Sequence, residues 1–175
     1  MFKFVFPQDK AISNEVLKLA YPVIVSNLSR VLMSIFDVAM VGRLGVEALA
    51  ATGMGAMMLW GALSLVLGIR TAVQTIASRR LGQKIDHEAG TALHNGLLMA
   101  TIYALPMSIA GWLWAKDIIP FFIDDVTATP LAVDYASIIF LSLLFSAYSF
   151  VFQGFYTGVD KTKIHMTVTI TSNVI

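Results

Sequence analysis

The sequence predicts an all-α integral membrane protein with four complete transmembrane helices and the start of a fifth. Three observations carry that expectation. Of the 175 residues, 57% are hydrophobic and only 13% charged, whereas a soluble domain has about 45–50% apolar and about 25% charged residues. Three windows free of Asp, Glu, Lys and Arg, residues 48–69, 89–115 and 135–159, hold 22, 27 and 25 residues. Each reaches the roughly 20 apolar residues that a helix needs to cross a hydrocarbon core about 30 Å thick. Glycines, prolines and short charged stretches separate these windows from one another and from a fourth apolar run at 22–45.

The N-terminal MFKFVFPQDKAISNE has too short an apolar part, and no small-residue cleavage site, to be a secretory signal. Pro7, Asp9 and Lys10 suggest an interfacial lead-in. Helix one is expected over 15–41, capped by Ser13 or Asn14, with Gly42 and Gly45 punctuating its far end. Helix two is expected over 48–79, ending at the basic pair Arg79 and Arg80 and a glycine stop at Gly82. Helix three is expected over 91–115 and helix four over 131–156, with Pro120 and Pro130 bracketing the loop between them. Gly158 and Asp160 mark the next turn, and a fifth helix starts near Ile164. The closing IHMTVTITSNVI has no cap and no polar exit, so the chain reads as an incomplete N-terminal part of a longer multi-pass protein.

Lys and Arg in short loops set orientation. Lys3, Lys10 and Lys18, then Arg79, Arg80 and Lys84, then Lys161 and Lys163 fall on one side, against Arg43 and Lys116 on the other. This places the N-terminus in the cytoplasm. With no cysteine, disulfide frameworks and thiolate metal sites are excluded. The formal net charge of +1 without a basic block gives no sign of nucleic-acid binding.

Helix one carries two ionisable groups inside its apolar run. Asn27, Arg30, Ser34 and Asp37 are spaced 3, 4 and 3, which puts them on one arc of about 80°. Asp37 lies about 8 Å below the far end and Arg30 two turns deeper, at a rise of about 1.5 Å per residue. Ionisable groups at such depth cost free energy and default to a functional role. Burial disfavours the charged carboxylate, which fits proton exchange at Asp37. A Na⁺ site completed by carbonyl, Asn or Ser oxygens is a second reading, and an Arg30–Asp37 pair that neutralises two charges is a third.

Helix four carries a second polar stripe, Tyr135, Ser142, Ser146, Ser149 and Gln153, either the wall of a water-filled cavity or hydrogen-bonding glue between helices. In helix two, Gly53-Met54-Gly55 follows no strand and is not a dinucleotide fingerprint; Ala51 and Gly55 read as small-residue helix packing. Arg70 is expected to snorkel to the interface, with Gln74 facing the interior. His87, His94 and His165 share no metal-ligand spacing and read as solvated, as do Asp124 and Asp125. No nucleophile–base pair appears, so the chain is not expected to be an enzyme.

Taken together, LKLAYPVIVSNL, FDVAMVGRLGVEALAATGMG, AVQTIASRRLGQ and FQGFYTGVDKTKIHMTVTITSNVI resemble the first helices of the MATE (multidrug and toxic compound extrusion) family. Pro22, Asp37, Gly42, Gly45 and the stretch from Glu47 to Ala51 carry the match. The resemblance implies a twelve-helix, two-lobe antiporter of the bacterial inner membrane, exporting drugs or organic cations as Na⁺ or H⁺ enters. It needs no cofactor beyond the coupling ion. Asp37 falls where the family couples ions, while Asn27, Arg30, Ser34, Gln74, Ser142, Ser146, Ser149 and Gln153 would line the cavity. The remaining helices of the full-length chain and the lipid bilayer would be its partners. Arg30 and Arg70 depart from the family pattern and lend weight to another reading, a lipid-linked saccharide flippase of the same superfamily with its cationic cavity; a free-standing four-helix assembly or channel subunit is a reading of a different class, against which the unfinished helix at Ile175 argues.

Overall fold

The computed structural model describes residues 10–123 and 125–174. Within them the chain is helical and without strands, in the order α1 (Lys10–Gly42), α2 (Val46–Gly82), α3 (Asp86–Ile118), α4 (Ala128–Gly158) and α5 (Thr162–Val174), with a 3-10 turn at Ile119–Phe121. The first four are long and apolar enough to cross a membrane. The expected lead-in at Pro7 and Asp9, and Asp124, lie outside the described residues.

The helices run past the ends expected from hydropathy because charged residues end an apolar window without ending a hydrogen-bond ladder. α2, with 37 residues, is about 55 Å long and outreaches the hydrocarbon. α1 is already helical at Ser13 and Asn14, so neither caps it. Its interior proline, Pro22, cannot donate to the carbonyl one turn back. The buried hydroxyl of Ser26 donates to the Pro22 carbonyl at 2.8 Å.

The turns are also built differently from expectation. After α2 the left-handed residue is Lys84 (φ 59°), not Gly82, and after α4 it is Asp160 (φ 59°), not Gly158. At both, the next backbone N–H reaches back five residues: Ile85 to the Arg80 carbonyl (3.1 Å) and Lys161 to the Tyr156 carbonyl (2.9 Å), the closure of a Schellman cap. Gly45 does use glycine's freedom, at φ 120°.

The core belongs to α2, α3 and α4, which pack on one another. Small residues let them approach, as in membrane bundles generally, where close packing replaces the hydrophobic drive. Along α4, buried Ala132, Ala136, Phe140, Leu143, Ala147 and Val151 recur every three or four residues. α2 and α4 run parallel: the Tyr135 ring lies against Gly55, Gly154 against the backbone of Arg70, and Gly158 against the backbone of Gln74. Buried Ala51 and Gly55 thus do the packing expected of them. Hydrogen bonds tie these core helices together: Tyr103 Oη donates to the Ala62 carbonyl at 2.7 Å, Ser108 Oγ to the Phe140 carbonyl at 2.6 Å, and Thr101 and Tyr148 share a bond of 2.7 Å.

α1 stands apart from that core. Its main partner is α5, and it touches α2 only thinly. Asn173 Nδ2 donates to Ser29 Oγ at 2.8 Å across the pair. Every residue from 31 to 40 is exposed.

Candidate cleft between α1–α5 and α2–α4

Because α1 leans on α5 rather than on the core, a cleft of about 610 Å³ opens between the two groups of helices. The serine-bearing face of α4 lies one position round from its packing stripe, so Ser146, Ser149 and Gln153 reach the cleft while the alanines stay in the core. Gln153 is 5% exposed. α2 supplies Leu59, Trp60 and Leu63 to the apolar part, and α4 adds Phe150 and Phe152. α1 contributes Arg30, and α5 contributes His165, Thr169 and Asn173.

Of the residues the sequence singled out, the structure brings Arg30, Ser146, Ser149 and Gln153 to this one cleft. Asn27, Ser34, Asp37, Gln74 and Ser142 are not part of its wall. Asn27, Ser34 and Asp37 are exposed, Ser34 and Asp37 within the stretch 31–40 of α1 that holds no buried residue. The Gln74 backbone is packed against Gly158. Ser142 is exposed and returns its hydroxyl to the Ile139 carbonyl at 2.8 Å; Ser149 does the same with the Phe145 carbonyl at 3.0 Å.

Arg30 and Asp37 form no ion pair. Among the described residues the ion pair is Arg80–Glu88, at 2.9 Å, near the α2–α3 turn. Seven residues of helical rise, about 10 Å, separate Arg30 from Asp37. Arg30 lines the cleft together with His165, and Asp37 does not.

Arg70 does not snorkel. Its guanidinium carbon sits 5.9 Å from the centroid of the Phe150 ring, a cation–π distance. The same ring meets Trp60 edge-on at 6.3 Å. Close packing of α2 on Gly154 holds the Arg70 stem against α4, which turns it inward instead of toward a membrane surface. His165 is also not a solvated loop residue. It is half-buried in α5, and its Nε2 lies 3.4 Å from Thr169 Oγ1. The i, i+4 spacing of His165, Thr169 and Asn173 is a polar stripe that the sequence displayed. Its meaning depended on α5 packing beside α1.

Asp125 is an exposed loop acid, as expected, and it also caps the start of α4. Its Oδ1 accepts from the backbone N–H of Ala128 (2.8 Å), the Thr127 hydroxyl (2.7 Å) and the Thr127 backbone N–H (2.8 Å). Those bonds, that from Ala128 first, hold its carboxyl below the usual carboxylate range. Among the described residues no cluster of three His, Cys, Asp or Glu is placed to hold a metal ion.

The backbone closely follows solved transporters. It superposes with a TM-score of 0.85 on a multidrug resistance MATE family transporter of the MOP superfamily in an outward-facing conformation, at 19% identity, covering 91% of this chain and 36% of that one. A MOP superfamily transporter from Pyrococcus furiosus matches with the same TM-score and identity, covering 91% and 35%. Among curated relatives, the "Probable multidrug resistance protein NorM" of Pseudomonas aeruginosa is 28% identical over 159 residues, 89% of this chain and 32% of the relative. That of Rhodopseudomonas palustris is 28% identical over 121 residues, 69% and 25%. The chain therefore spans about a quarter to a third of the length of these relatives. The MatE family model matches residues 22–175, nearly the whole of a multi-pass helical membrane chain: this protein belongs to the MatE family.

Proposed function

We propose that the chain is the N-terminal part of the first lobe of a secondary active antiporter that exports drug-like organic molecules in exchange for Na⁺ or H⁺, with Asp37 as its coupling carboxylate. The observation that carries this reading is the family match over residues 22–175, which includes the whole motif around Asp37. It favours an exporter over the lipid-linked saccharide flippase and over a free-standing four-helix subunit. The positive-inside pattern places the N-terminus and the α2–α3 turn in the cytoplasm, so Asp37 stands in the outer half of α1. There it is one of the exposed residues of α1. Loading and unloading of an ion at Asp37 would bias how α1 and α5 sit against α2–α4. A rocking of two helix groups about a cleft is the general logic of such transporters.

The test uses the protein encoded by the complete gene, reconstituted in proteoliposomes under separate Na⁺ and H⁺ gradients. Asp37→Asn is expected to abolish gradient-driven movement of a fluorescent substrate while insertion and thermal melting stay unchanged. Wild-type transport by that variant rejects Asp37 as the coupling group. Failure of the wild-type protein to move any substrate under either gradient rejects the antiporter.

A further inference from the structure

The family resemblance by itself predicts organic cations as cargo. The wall of this cleft carries the opposite requirement. Arg30 stands in it directly, and Arg70 lies behind the Phe150 ring that forms part of its surface. His165 lines the same cleft as Arg30. Among the described residues no aspartate or glutamate lines the cleft, and neither arginine has an acidic partner within 4 Å. Asp37, on the same helix as Arg30, lies about 10 Å along the axis and outside the cleft. An arginine held half-buried beside aromatic rings keeps its charge and attracts an anion far more strongly there than in bulk water.

We infer that this cleft receives an amphipathic organic anion: an aromatic or alkyl body against Trp60, Phe150 and Phe152, and a carboxylate, sulfonate or phosphate head at Arg30. Ser146 and Gln153 lie on the same wall and offer a hydroxyl and an amide donor to the head's remaining oxygens. The arrangement divides labour along the cleft. The fork of Arg30 suits a planar or tetrahedral oxyanion. The Phe150 ring, flanked by Trp60 and Arg70, offers a face on which an aromatic body stacks. An organic cation entering the same space would meet the uncompensated positive charge of Arg30 on this wall. The inference deepens the exporter reading by naming its cargo class, and it rests on that reading only for the direction of movement, not for binding.

Two probes of one shape and opposite charge test it: 2-naphthalenesulfonate and 2-naphthyltrimethylammonium. Binding of each is measured calorimetrically to the full-length protein in phosphatidylcholine vesicles. The wild type is expected to bind the sulfonate at least tenfold more tightly than the ammonium. Arg30→Gln is expected to weaken sulfonate binding roughly tenfold, the scale of one charge-assisted hydrogen bond, and to strengthen ammonium binding. Arg30→Lys, which keeps the charge and loses the fork, should retain most of the preference. Should Arg30→Gln fail to fold, Ser149→Asp sets a carboxylate at an exposed position of the same wall and is expected to reverse the preference. Ammonium binding equal to or tighter than sulfonate binding in the wild type overturns the inference, as does an unchanged ratio in these variants.

Vesicles containing phosphatidylglycerol separate two sources of the anion. Loss of sulfonate binding by competition assigns the site to an acidic lipid head, and unchanged binding assigns it to a soluble anion. The outcome is distinguishable from failure of the exporter reading. Sulfonate preference without gradient-driven movement leaves the inference standing and removes the antiporter. Gradient-driven movement of the ammonium probe alone does the reverse.

Discussion

Gly154 of α4 lies directly against the backbone of Arg70 in α2. A Cβ built on Gly154 would stand 2.5 Å from the Arg70 carbonyl oxygen and 2.9 Å from Arg70 Cγ. This contact sets how close the two helices run and turns Arg70 toward Phe150. One turn further on, a Cβ on Gly158 would meet the Gln74 carbonyl oxygen at 2.6 Å. Two consecutive close approaches to backbone, rather than to a flexible side chain, leave α2 no route of escape except moving away.

Gly154→Ala is therefore expected to destabilise the bundle by about 1–3 kcal/mol, the usual cost of overpacking, and to displace Arg70 from the Phe150 ring. Gly61→Ala is the matched control on α2, since nothing lies within 4 Å of a Cβ there. It is expected to stabilise by up to about 1 kcal/mol, because alanine loses less backbone entropy than glycine in a helix. Unfolding titrations in detergent compare the two. Equal effects of the two substitutions would show that helix propensity, not the approach to Arg70, governs Gly154.

The interhelical hydrogen bond from the Tyr103 hydroxyl to the Ala62 carbonyl, 2.7 Å long, is a polar tie in an alanine-lined interface. Tyr103→Phe removes the donor and keeps the ring. The expected loss is about 0.6 kcal/mol, with an upper bound near 1.7 kcal/mol, because polar ties in membrane bundles compete with partners in the unfolded state. The Ala62 carbonyl lies inside α2 and keeps its own helical environment, so no orphaned acceptor enlarges the loss. The same titrations measure it.

How much of this architecture the sequence displayed follows from what hydropathy and spacing report. Apolar windows and turn residues located four spans, because length and polarity against a bilayer are properties of each segment alone. They did not locate helix ends: Glu88 and Lys116 end a window at either side of α3, yet both lie within the helix. The period of Ser146, Ser149 and Gln153 marked one face of α4, and that face does meet a cleft. What lies across from a face is a property of two helices, and nothing local to α1 announced that it would pair with α5. For that reason His165 passed for a solvated residue, Arg70 for a snorkelling one, and Arg30 and Asp37 for possible partners.

Lys84 occupies a left-handed backbone conformation, φ 59°, immediately after α2. Its Cβ is crowded there, and such a residue costs on the order of 1–3 kcal/mol. Lys84→Gly relieves that strain but gives up about 0.4–1 kcal/mol through the greater freedom of the unfolded chain. A net gain on the order of 1 kcal/mol is expected. Asp160, with the same φ, belongs to a residue type that tolerates this region, so Asp160→Gly is expected to gain less. Thermal melting of both variants tests the order, and a larger gain for Asp160→Gly would contradict it.

Asp125 gives the fold a pH dependence outside the membrane. Its carboxylate accepts bonds from Ala128 and Thr127 at the start of α4, and they lower its folded-state pKa below the ordinary value, which is about 3.9. A carboxyl whose pKa is depressed on folding binds fewer protons in the native state. Its contribution is therefore present above about pH 3.9 and is lost as pH falls through the folded value. Asp125→Asn keeps an oxygen that accepts from the same N–H groups and cannot titrate in this range. Its acid-unfolding curve is expected to lose the component between about pH 4 and the folded value, while Asp125→Ala is expected to be less stable than wild type at pH 7. Because the group is fully exposed, salt is expected to shrink the difference between wild type and Asn. Acid titrations of the three proteins, followed by helical circular dichroism at low and high ionic strength, measure this. An Asn variant with the wild-type acid transition at low salt would show that the cap holds α4 without help from the charge.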